Sequence, residues 1–325
     1  MGDPQRTSSV VLTDIHPSSF QHPGDIQYTK ELKALPLLPK VQRWVIKVTS
    51  EDDYNRNALA NCLRLGPTQG VHLHDLFRHA VHVLDVGPLP HLFLQNSSQI
   101  NAFAAGVDDY SVTLTSGLVN ALDEEEILAV MAHELGHIKC DHMLYKTMAN
   151  IIGTTGAAVL DNMTFGLGNA ALVPVQWALL KWSRMAEFSR DRAALLVVQD
   201  PKPVIRLLMM LAAGTKKYLP EFNIEAALEQ AREYSQDEAS ILGKVALIKD
   251  ELHLSHPVPA LRCLHIHEYA EADEYKEILN GNYALKSLDG INPNQPAGAN
   301  QICPNCSHSF LATKDECPSC FTWVG

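Results

Sequence analysis

The chain has 325 residues, 46% of them apolar, which is enough for one sizeable core and a small second module. Its 37 acidic residues outnumber the 26 basic ones and leave a formal net charge of -11, a balance that argues against a broad phosphate-binding surface, so no nucleic-acid partner is expected. Residues 1–30 hold no apolar run flanked by basic residues, so the sequence predicts a cytoplasmic protein with neither a secretory signal nor an N-terminal anchor.

Residues 1–40 carry several prolines and end in Pro36, Leu37, Leu38 and Pro39, a pattern that predicts an irregular N-terminal arm. From Thr68 to Val86 apolar residues including Val71, Leu76, Phe77, Ala80 and Val81 recur at helical spacing, and Pro88 and Pro90 stop the run. His72, His74, His79 and His82 ride on that helix, where a solvated face is expected rather than a metal site. His91 to Gln95 and Ser111 to Thr115 read as short strands, with Asn101 to Gly106 between them. Asp123 is an expected N-cap, Glu124 to Glu126 complement the positive end of the following helix, and Ile127, Leu128, Val130 and Met131 open its apolar face.

That helix contains HELGH. His133 and His137, four residues apart, project from one face a single turn apart and suit one zinc ion. Glu134 stands beside the first of them, where a carboxylate can accept a proton from water whose pKa the metal lowers. A third ligand is needed. An extended histidine motif would place glycine at 140 and histidine at 143, but the chain has Cys140 and Met143. Glu187, in the run EFSRDRAA on a later helical segment, supplies the alternative, and Asp191 one turn on is spaced to hydrogen-bond a ligand histidine. An ordinary surface network of Glu187 and Asp191 with Arg190 and Arg192 is the competing explanation for that run.

Between these motifs, Lys146 to Lys181 contains Asp161 as its one internal charge, but Gly153, Gly156, Gly166, Gly168 and Pro174 interrupt it. Neither half is long enough to span a bilayer, so a buried helical hairpin is expected in preference to membrane contact. Further helical patterns run from Arg184 to Val198, Pro203 to Ala213 and Ile224 to Leu252. Of the seven cysteines, Cys62, Cys140 and Cys263 are expected to behave as small buried hydrophobes. Beyond a linker over 286–301 rich in Asn, Gly and Pro, Cys303, Cys306, Cys317 and Cys320 form CPNC and CPSC pairs, the pattern of two knuckles closing on one structural zinc. A module of that size needs its metal to fold, and its expected use is docking to a substrate, a protein partner or the catalytic domain.

HELGH, EFSRDRAA, the NAF run at Asn101, Ala102 and Phe103, and the His256-Pro257 pair together resemble the M48 peptidase family, which includes HtpX-like proteases. The resemblance covers residues 25 to 270. It implies a zinc endopeptidase with His133, His137 and Glu187 as ligands, Glu134 as base and Asp191 behind the ligands. It further implies that Asn101 to Phe103 form an edge strand that pairs with an extended peptide substrate, and that His256 and Arg262 lie near the active site, His256 being favoured for the oxyanion. The expected fold class is therefore α+β and mainly helical, a gluzincin-type domain with a small sheet beside the HExxH helix, followed by a zinc ribbon. The expected divisions are an arm over 1–40, a peptidase domain over 41–285, the linker, and a ribbon over 302–325. Two zinc ions are implied, one catalytic and one structural. A zinc-stabilised adaptor without catalysis is the alternative, but such a scaffold has no need of Glu134.

Overall fold

The computed structural model describes residues 9–48, 51–106, 109–154, 172–238, 258–288, 300–302 and 309–311. Most of them are helical, and a four-stranded sheet sits among the helices. His256, the greater part of the linker and the four ribbon cysteines lie outside the described residues, as does the middle of the expected hairpin.

The N-terminal region is more regular than its prolines suggest. Helix α1 spans Pro23–Lys33 and α2 spans Leu38–Val48. Pro23 occupies the first turn of α1 behind an N-cap at His22, a position where the missing N–H costs nothing and the fixed φ suits a helix. Pro39 likewise falls in the opening turn of α2. Prolines that read as breakers are thus helix starts.

Helix α3 (Glu51–Asn61) leads into strand β1 (Cys62–Leu65), and α4 (Val71–Val83) follows. His72 on α4 is exposed and pairs with Glu124 at 2.9 Å. His74, expected on a solvated face, is instead buried on the side that carries Phe77 and Val81. Strands β2 (His91–Gln95), β3 (Ala102–Ala105) and β4 (Ser111–Thr115) complete the sheet in the order β1-β2-β4-β3, with β2 and β4 parallel and the other pairs antiparallel. β4 is buried throughout, as an interior strand requires, and β3 lies at the edge. Thr115, at the end of β4, caps the short helix α5 (Ser116–Ala121) and accepts the Asn101 N–H at 3.1 Å, which anchors the start of the edge strand.

Helix α6 (Glu124–Lys139) begins with a full capping box: Asp123 accepts from the Glu126 N–H, and Glu126 accepts from the Asp123 N–H, both at 2.9 Å. From Glu126 onward every residue of α6 is buried, so this helix forms the centre of the core instead of an amphipathic surface element. Helix α7 (Met143–Thr154) follows it. Helix α8 (Val173–Val198) starts well before the expected Arg184, because Pro174 sits in its first turn instead of interrupting it. Its first half packs Val175, Leu179 and Trp182 against Leu32, Val41 and Met148, and its second half joins the main core with Ala193 to Val197. Helices α9 (Pro201–Ala213), α10 (Ile224–Glu238), α11 (Pro259–Glu271) and α12 (Asp273–Leu279) close the domain. Cys140 and Cys263 are buried as expected, while Cys62 is only half-buried. Within the ribbon region, β5 (Asn300–Ile302) and β6 (Ser309–Leu311) pair antiparallel. Among the described residues no helix is long and apolar enough to cross a membrane.

Gly136 sets the crossing of α6 and α8. A Cβ there would lie 3.2 Å from the Arg190 Cα and 3.0 Å from the Ala193 Cβ, so a side chain at this position would press on the backbone of the facing helix. The glycine of HELGH therefore lets the two helices approach closely enough for side chains of His133, His137 and Glu187 to share one buried volume.

Candidate active site

His133, Glu134 and His137 on α6 and Glu187, Arg190 and Asp191 on α8 are all buried. The imidazoles of His133 and His137 stand nearly perpendicular, with centroids 6.3 Å apart. His133 Nε2 faces Glu187 Oε2 at 3.5 Å, and on the far side of the ring its Nδ1 donates to Asp191 Oδ1 at 3.0 Å. This hydrogen bond fixes the ring in the tautomer that leaves Nε2 as a lone-pair donor toward Glu187. Arg262, from α11, donates through Nε and Nη2 to the two oxygens of Asp191 at 2.7 and 2.6 Å, and its Nη1 lies 3.4 Å from Glu187 Oε2. Three helices thereby converge on one cluster of charge.

The guanidinium of Arg190 lies between His137 Nε2 and Glu187 Oε1 and contacts both. Among the described residues no three His, Cys, Asp or Glu side chains close on a single point, and Arg190 stands against two of the three expected ligand atoms. Two neutral imidazoles and one carboxylate, already gathered around a positive charge, are the donor set that zinc takes in a catalytic site.

Comparison with known proteins decides the family. The profile of peptidase family M48 matches residues 67–270. The chain is also 35% identical over 272 residues to plastoglobule-localized metallopeptidase 48, chloroplastic, of Arabidopsis thaliana, a match covering 83% of this chain and 77% of that protein. The chain belongs to peptidase family M48. A protease HtpX homolog of Burkholderia thailandensis is 33% identical over 140 residues, 37% of this chain and 49% of that protein, so the match to this relative spans about half its length. No solved structure matches the chain. As an M48 member the protein is a peptide hydrolase.

Within this M48 site, Glu134 is the carboxylate that Arg190 does not bridge. Its Oε2 accepts the Ala104 N–H of β3 at 2.8 Å and lies 3.6 Å from Lys146 Nζ. Burial alone would push its carboxyl up, but the charges of Lys146 and Arg190 and the Ala104 amide outweigh that effect and hold the group below its ordinary value. Burial, with Arg190 nearby, pushes the His133 imidazole down to about 4 and His137 well below its usual value, so both rings are neutral at pH 7 and able to donate a lone pair. Burial works against the Asp191 carboxylate, and the paired Arg262 overcomes it.

Lys146 gives a sign that can be checked. Its ammonium favours the ionised form of Glu134, so Lys146→Met should raise the pKa of that carboxyl. The acid limb of the kcat/KM profile should then move to higher pH, with little change in rate on the alkaline side. An acid limb that stays in place would remove Lys146 from the electrostatics of Glu134.

Arg262 lies close to His133 and Glu187, but its guanidinium is bound to Asp191, a geometry for holding Asp191 and not for meeting a substrate oxygen. Asn101 is exposed, and Ala102 and Phe103 open the edge strand next to Ala104. Sequence reading missed Lys146, and it admitted Arg190 only as part of a surface network, whereas Arg190 is buried at the centre. Lys146 had a legible signal, since it follows HELGH by a few turns and opens the otherwise apolar stretch that runs to Lys181. Arg190 lies one turn after Glu187, which places it on the same face of α8.

Proposed function

We propose that the protein is a zinc endopeptidase in which His133, His137 and Glu187 hold the metal and Glu134 is the general base. The observation that carries the reading is His133 Nε2 facing the buried Glu187 Oε2 at 3.5 Å, with His137 buried one turn along the same helix and Glu134 separately tied to the edge strand. A zinc ion there supplies Lewis acidity toward water and the scissile carbonyl. Glu134 takes a proton from the attacking water and delivers it to the departing amine. The Ala104 N–H keeps this carboxylate against β3, so the base stands beside the strand where an extended substrate would lie.

Substrate binding follows from the sheet order. β3 is an edge strand that Asn101 precedes and Ala102 and Phe103 begin, so the backbone of a peptide can pair with it while side chains impose little selection. Asp191, clamped by Arg262, orients His133, which makes Arg262 a positioning residue. His256 is retained as the group for the oxyanion. Cys303, Cys306, Cys317 and Cys320 are assigned one structural zinc, and the ribbon they form is assigned to docking a protein partner or substrate. A chelator should abolish cleavage of an unfolded protein such as casein, and added zinc should restore it. Cleavage that persists after complete removal of zinc would overturn the reading.

Location has two readings. The sequence favours the cytoplasm, while the Arabidopsis relative is by name plastoglobule-localized. Val173, Trp177 and Leu180 lie exposed on successive turns of α8 beside Lys181, an apolar stripe with a basic flank that suits a lipid surface. Flotation of the full chain with lipid vesicles distinguishes the two.

A further inference from the structure

Asp25 on α1 is fully buried, although neither the catalytic cluster nor the core needs a carboxylate there. Its Oδ2 accepts from Ser189 Oγ at 2.6 Å and from His142 Nε2 at 2.9 Å, partners 164 and 117 positions away. Thr29 Oγ1 approaches its Oδ1 at 3.4 Å, so both oxygens are engaged. Ser189 is further tied to the N-terminal region, since its Oγ accepts the His22 N–H at 2.9 Å.

These partners lie immediately behind the proposed ligands. Ser189 lies on α8 between Glu187 and Asp191. The His142 backbone N–H donates to the His137 carbonyl at 2.9 Å, and its ring meets the His137 ring edge-on at 5.8 Å between centroids. Trp182 meets the His142 ring at 5.3 Å between centroids. A residue needed only to fill this space would be apolar, because a carboxylate is costly to bury and its hydrogen bonds must be met.

We propose that Asp25 is a positioning residue for the metal site: its carboxylate clasps the turn after His137 to the helix carrying Glu187, fixing the two ligand-bearing segments relative to each other. The N-terminal region is then part of the catalytic apparatus and not a detachable arm. This rests on the zinc reading above.

The test measures zinc affinity of the full chain by competition with a chromophoric chelator, alongside kcat and KM. Asp25→Ala should weaken zinc about 10- to 100-fold, the range for groups that orient metal ligands. It should also lower kcat while KM stays within about twofold. Asp25→Asn, whose amide oxygen can still accept a bond from Ser189 or His142, should recover most of the affinity. Ser189→Ala removes one arm of the clasp with a minimal change of volume and should weaken zinc by about tenfold. It decides the matter if Asp25→Ala does not fold. Wild-type zinc affinity in the folded Asp25→Ala and Ser189→Ala proteins, whatever their melting temperatures, would overturn the proposal. Glu187→Ala in the same assay separates the two ideas: if it retains wild-type affinity, the ligand assignment itself is wrong and the clasp falls with it.

Discussion

Replacing Glu134 by glutamine is expected to lower kcat by roughly two to four orders of magnitude, the usual contribution of a general base, while the zinc content of the protein stays unchanged. The substitution keeps the shape of the side chain and an oxygen that can accept the Ala104 N–H, so the edge strand should remain in place. What it removes is the proton acceptor. It also removes the negative charge 3.6 Å from Lys146, and a largely buried ammonium without its partner destabilises the fold. A melting curve on the zinc-loaded variant therefore accompanies the rate, so that lost catalysis is not confused with lost structure. A folded, zinc-loaded Gln variant that cleaves at the wild-type rate would sink the assignment of the base. The adaptor reading makes the opposite prediction, that nothing the protein does depends on this carboxylate.

The elements that were legible from sequence are those whose chemistry is local. Asp123 and Glu126 define a capping box within one turn, HELGH fixes its two histidines by spacing, and β2 and β4 show their alternation over five residues each. The position of Glu187 beside His133 was also legible, because a carboxylate on a downstream helix was the expected partner once position 143 proved not to be histidine. What was not legible is the closure between segments distant in the chain. Asp25 reads as one acidic residue in a polar arm, and only the packing of α1 on α8 places it against Ser189 and His142. The prolines at 23, 39 and 174 pointed the wrong way, since proline is compatible with a helix start and hostile to its interior, and sequence alone did not say which applied. Arg190 was misplaced for a related reason. Charged side chains are usually exposed, and an arginine is buried here because a carboxylate and an imidazole surround it.

Glu187→Ala should release the catalytic zinc while the ribbon zinc remains, and cleavage should fall to background. Loss of an orienting residue alone costs 10- to 100-fold in metal affinity, so loss of a ligand should exceed about a hundredfold. The electrostatics strengthen this expectation. With Glu187 gone, Arg190 and Arg262 face the two imidazoles without the carboxylate they both approach, and this surplus positive charge opposes entry of a divalent cation. Glu187→Gln keeps the volume and serves as the control for folding, with a weaker neutral oxygen in place of the carboxylate. Elemental analysis of the purified full chain reads the result directly, provided it is paired with a variant lacking the ribbon cysteines to assign the metal that stays. If Glu187→Ala retains both its zinc and its cleavage, the third ligand lies elsewhere, and the meeting of α6 and α8 is a charge network with no metal between them.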